Sequence, residues 1–141
     1  MPNNRLRVSF HIALADARNA LVALARVSAR TLAEINQALR EETPDRTPSI
    51  TANVDAVKAG ARALAGTAVD LMWKQQPFAS DFESVLTMYE LAIDYERLAD
   101  DLAALALDVL QADRTTLGSA PPHLQELADT ALRSCANLHK G

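Results

Sequence analysis

The chain has 141 residues, enough for one domain and too few for two ordinary ones, with a formal net charge of −4. Hydrophobic residues make up 49% and aromatics 4%, with four glycines and six prolines, which suits a helical bundle and argues against a β-sandwich. The arginines are scattered among acids and form no basic stripe, so nucleic-acid binding is not expected.

The N-terminal stretch MPNNRLRVSFHIALADARN has a short apolar run from Val8 to Ala15, broken by His11 and followed by Asp16 and Arg18. It is too short and too polar for a signal peptide, and no stretch approaches the eighteen or so apolar residues of a membrane span. Cys135 is the sole cysteine, so no intramolecular disulfide can form and a reducing compartment is expected. A soluble cytoplasmic protein follows as the expectation.

Helical spacing of Leu14, Leu21, Leu24, Val27, Leu32, Ile35 and Leu39 predicts a first helix over about 5–40. EETPDRTPS (41–49) is a linker, and Thr47-Pro48 is a cap and first-turn pair opening a second helix over about 48–75. Gly60 and Gly66 lie inside that helix, each costing about 1 kcal/mol against alanine, and close helix packing is the expected reason. Trp73 and Met72, near its end, are expected in the core or an interface.

Pro77 stops this helix, because the residue before a proline is pushed away from helical angles. Ser80 and Glu83 read as a capping box, and Asp81 suits the first turn of a third helix over about 80–112. DRTTLGSAPP (113–122) is the next break, and a short helix over about 123–138 closes the chain. The fold expected is an all-α, up-down bundle of three long antiparallel helices plus a shorter C-terminal one, as a single domain over 1–141.

On a wheel of the third helix, Glu83, Glu90, Asp94, Arg97, Asp101 and Asp108 fall on one solvated face. Glu96 and Asp100 do not join it. They stand one turn apart, in line with Tyr89, Ile93, Ala103 and Leu107, in or at the edge of the apolar arc. Carboxylates inside a bundle are costly unless paired or metal-bound, and two one turn apart repel each other. A hard cation such as iron, magnesium or manganese removes both costs. The plainer alternative is that both acids pair with arginines from other helices.

The stretch WKQQPFASDFESVLTMYELAIDYERLADDLAALAL (73–107) is similar to the signature of the PhoU family of phosphate-signalling regulators. The matching pieces are Gln75-Gln76-Pro77, Ala79-Ser80-Asp81 and Glu96-Arg97-Leu98-Ala99-Asp100, and with the helical layout before them the resemblance covers most of residues 5–112. It implies three-helix bundles, usually two in tandem, whose E-x-x-x-D acids bind metal clusters in some members. It implies a regulator with no catalytic activity that touches the phosphate ABC transporter's ATPase and a phosphate-sensing histidine kinase. Carried over, the metal-ligand candidates are Glu96 and Asp100, with Asp55 and Asp94 weaker; the wheel turns Asp94 outward.

The sequence departs from the family where Glu83 stands for the usual Arg and Ala99 for a frequent Gly. A second repeat is missing, although PPHLQELADTALRSCANLHKG resembles the opening of one. The chain is therefore expected to be either a piece of a two-repeat protein or a one-repeat protein that pairs as a homodimer.

Rival readings have weaker support. A MazG-like nucleotide pyrophosphatase needs an E-x-x-E and a later E-x-x-D, but position 97 is arginine. A ferritin-like di-iron enzyme needs Glu-x-x-His, and none of His11, His123 and His139 has a glutamate three residues before it. Cys135 reads as a buried structural thiol. A helical interaction protein that shares the fold without the phosphate role is the remaining alternative.

Overall fold

The computed structural model describes residues 2–41, 47–75 and 79–111, all of them helical. They form α1 (Pro2–Glu41), α2 (Thr47–Gln75) and α3 (Ala79–Gln111), with no strand among the described residues. The expected short helix over 123–138 lies outside them.

Each helix turns one seam inward, and the three seams share one spacing. In α1 the seam is Phe10, Leu14, Ala17, Leu21, Leu24, Ser28, Thr31 and Ile35; in α2 it is Ile50, Val54, Val57, Ala61, Leu64, Ala68 and Leu71. In α3 it is Val85, Met88, Ala92, Tyr95, Ala99, Leu102 and Ala106, and all of these side chains are buried except the partly buried Leu21 and Tyr95. Intervals of three and four alternate throughout. That is the 3.5-residue period which keeps a seam facing its neighbours in a left-handed wrap. The many alanines in the seams let the helices approach closely, while the fully buried Ile35, Ile50, Val57 and Val85 supply bulk. Burial of each such side chain stabilises the fold by roughly 1.5–3 kcal/mol.

Cross-helix contacts give the directions. Arg62 meets Glu96 and Lys58 meets Asp100, so α2 and α3 run antiparallel with residue numbers summing to the same value at each level. The Ser49 hydroxyl and the Asn53 amide both donate to Glu34 Oε2, at 3.0 and 3.3 Å, while Gly60 lies against Leu24, so α1 and α2 are also antiparallel. The order is up-down-up. By the same register Phe10 is level with the end of α2. The residues before it overhang the bundle, which explains the exposure of Leu6 and Val8.

The structure corrects several expectations. α1 begins at Pro2 rather than near residue 5, and α3 begins at Ala79, so Ser80 stands within the first turn instead of ahead of it as a cap. Gly60 does mark a close approach, but among the described residues nothing lies within 4 Å of a Cβ built on Gly66. Of the two places expected for Trp73, core or interface, its 80% exposure excludes the core, while Met72 packs partly buried against the core as expected. Leu107, expected in the apolar arc, is exposed. α1 is long and apolar enough to cross a membrane by length and composition, contrary to expectation. Part of that apolar content, including Leu14, Ala17, Leu24 and Ala25, is buried within the bundle.

Candidate functional site: a charged ladder between α2 and α3

The acids singled out in α3 sit on its flank toward α2. Glu96 is at the edge of the buried seam and Asp100 one turn further out, because the seam residues Tyr95, Ala99 and Leu102 take the inward positions. Each acid meets a base. Arg62 Nε donates to Glu96 Oε1 at 2.7 Å, and Lys58 Nζ donates to Asp100 Oδ1 at 2.6 Å. Lys58 and Arg62 are one turn apart on α2, as Asp100 and Glu96 are on α3, so antiparallel packing brings the two pairs into two rungs. The plainer alternative therefore describes what is seen, with a lysine in place of one arginine.

The rungs are half solvated. Side-chain exposures are 63% for Arg62 and 33% for Glu96, and 34% for Lys58 and 62% for Asp100. Such pairs contribute about 0.2–1 kcal/mol each, so the ladder sets register more than it stabilises. It also removes the mutual repulsion of Glu96 and Asp100 without a cation.

Asp55 and Asp94 are both exposed, and Asp94 shares the solvated face of Glu90, Arg97 and Asp101, as the wheel places it. Among the described residues no group of three or more His, Cys, Asp or Glu side chains is placed to hold a metal ion. Hard cations take about six oxygen ligands, and this bundle offers two carboxylates, each already neutralised by a base. The donor set among the described residues of one chain therefore does not fit the metal clusters that the resemblance implies. Lys58 and Arg62 were missed in the sequence, although K-x-x-x-R on α2 mirrors E-x-x-x-D on α3 at the same spacing.

The family model described as "PhoU domain" matches residues 21–109, more than half of the chain, taking in the second half of α1, all of α2 and nearly all of α3. The chain belongs to the PhoU domain family. It is 25% identical over 133 residues to the "Phosphate-specific transport system accessory protein PhoU homolog" of Streptococcus pneumoniae serotype 4 (strain ATCC BAA-334 / TIGR4), and equally to the protein of that name from strain ATCC BAA-255 / R6. The alignment takes in 94% of this chain and 62% of each relative, so the chain spans less than two thirds of the length of these curated relatives. No solved structure matches it significantly. The up-down-up bundle agrees with the fold expected of the PhoU family.

Proposed function

We propose that the chain is a regulatory accessory protein of phosphate uptake and phosphate signalling, acting by protein–protein contact and not as an enzyme. The observation that carries this reading is the family match over residues 21–109. The relatives' name, accessory protein of a phosphate-specific transport system, supports the same role. The partners proposed are a phosphate transporter's ATPase and a phosphate-sensing histidine kinase, met in the cytoplasm, with a second copy of the chain completing a homodimer. The ladder supports the same reading, since each of its two acids is already paired with a base.

The test is alkaline phosphatase activity in phosphate-rich medium, with and without the gene, in a strain holding no second family member. Deletion is expected to raise the activity and a plasmid copy to lower it again. An unchanged activity overturns the phosphate role and leaves a helical interaction protein of the same fold.

A further inference from the structure

Charge is divided unequally among the helices. α1 carries six arginines against three acids, and α3 carries eight acids against one arginine. The ladder to α2 uses two of those acids, Glu96 and Asp100. Asp94, Asp101 and Asp108 are exposed on one line of α3, and none has an ion-pair partner among the described residues. Arg18 of α1 is likewise exposed and without an ion-pair partner among them.

These charges border one face of the bundle. Glu96, just after the seam residue Tyr95, meets α2, so Leu91 and Leu98, just before the seam's Ala92 and Ala99, stand on the flank toward α1. They are nonetheless 36% and 37% exposed. The line of Asp94, Asp101 and Asp108 runs immediately outside them. On α1, Glu34 marks the flank toward α2, so Arg18 is on the flank toward α3, with the half-buried Val22 and the exposed Arg26 outside it. The face between α1 and α3 therefore has an apolar floor of Val22, Leu91 and Leu98, a basic rim on α1 and an acidic rim on α3. Apolar residues on a flank as well as on the seam are the pattern of a helix covered by more than one neighbour. Among the described residues α1 alone covers that flank.

The levels of the helices fix what fits there. Leu24 is level with Gly60, and the two rungs make Gly60 level with Leu98, so α1 and α3 run parallel with Leu24 beside Leu98. By the same offset Arg18 is level with Ala92, close to Asp94, and Arg26 is level with Asp100, next to Asp101. A two-fold axis along the bundle keeps these levels and lays α1 of one copy on α3 of the other. Arg18 then meets Asp94 of the second copy and Arg26 meets Asp101 of the second copy, each contact occurring twice. An axis across the bundle would instead set α1 on α1 and α3 on α3, where like charges oppose contact. We propose that the α1/α3 face binds the same face of a second copy, with α1 against the partner's α3 and all four helices parallel. This rests on the homodimer of the proposed function and adds where its interface lies; it does not depend on the phosphate role.

The test compares the full chain with two charge-reversed variants, Arg18→Asp and Asp94→Arg, by sedimentation equilibrium. The parent is expected to dimerise in the micromolar range. Each variant alone sets like charges together at both copies of the contact and should dimerise at least about tenfold more weakly. In an equimolar mixture of the two variants every reversed charge faces an opposite one, so heterodimers should form with close to the parent's affinity. A parent that stays monomeric into the millimolar range overturns the proposal. So does either single variant dimerising as tightly as the parent, or a mixture that associates no better than its components, and both outcomes give the dimer another face. If a reversal loses its helical circular dichroism, Arg18→Ala and Asp94→Ala take the place of the pair. Unchanged dimerisation in either of these then overturns the proposal, and weakening in both upholds it.

Discussion

Gly60 of α2 lies beneath Leu24 of α1 so closely that a Cβ at Gly60 would fall 2.7 Å from Leu24 Cδ2. Leu24 is itself buried, so its side chain has little space into which to swing. Gly60→Ala gains about 1 kcal/mol of helix propensity but overpacks this seam, at a cost of roughly 1–3 kcal/mol. The expected outcome is a net loss of about 1 kcal/mol. In the Leu24→Ala background the clash is absent, so Gly60→Ala becomes stabilising there. Urea melts of the four proteins of the cycle check this. Effects that add within about 0.5 kcal/mol place the two residues out of contact.

The Arg62–Glu96 rung predicts a weak, salt-sensitive coupling. A double-mutant cycle of Arg62→Ala and Glu96→Ala should give about 0.5 kcal/mol in favour of the pair at low salt. Near 1 M salt, where the screening length is about 3 Å, most of that coupling should be gone. A coupling that persists unchanged at high salt would mean the rung is far more shielded than its side-chain exposure of 63% and 33% allows.

A cation at Glu96 and Asp100 has to displace Arg62 and Lys58. The intact chain should therefore bind manganese(II) weakly, and the Lys58→Ala, Arg62→Ala double variant at least threefold more tightly. Adding Asp100→Asn should cancel that gain with little effect on folding. Manganese titration followed by electron paramagnetic resonance reads all three proteins. An affinity indifferent to both changes places any bound cation away from the ladder.

Much of this architecture can be read in the sequence because the seams are periodic. Leu14, Leu24 and Ile35 already mark the buried face of α1, and Pro77 and Thr47-Pro48 mark the breaks to within a residue or two. The solvated acidic face of α3 is legible for the same reason: one helix suffices to draw it. The ladder is not legible in that way. A wheel shows that Glu96 and Asp100 leave the acidic face, but not which neighbour they meet. That depends on the register of two helices more than thirty residues apart in sequence. Gly60 and Gly66 make the same point. Both are mid-helix glycines in the sequence, and only packing distinguishes the one under Leu24 from the one in open space. For Trp73 the sequence leaves core or interface open, and its position, two residues past the core-facing Leu71, turns it outward.

Ser28 and Thr31 are the two polar side chains of the α1 seam, and their hydroxyls have different surroundings. Thr31 Oγ1 donates to the Val27 carbonyl at 2.7 Å, so its burial is satisfied. Ser28 Oγ is buried with no hydrogen-bond partner among the described residues. An unsatisfied buried hydroxyl costs about 1–3 kcal/mol, and alanine also has the better helix propensity. Ser28→Ala removes the hydroxyl while leaving a void of only one oxygen. It should raise stability by about 1 kcal/mol, which shifts the melting temperature up by several degrees for a domain of this size. Thr31→Ser keeps the bond but deletes a methyl from a fully buried site and should lower stability by about 1 kcal/mol. Thermal melts of the two variants beside the parent check both signs. A loss of stability in Ser28→Ala would mean that Ser28 makes a hydrogen bond in solution, for instance to a buried water, and that the α1 seam is wetter than its spacing implies.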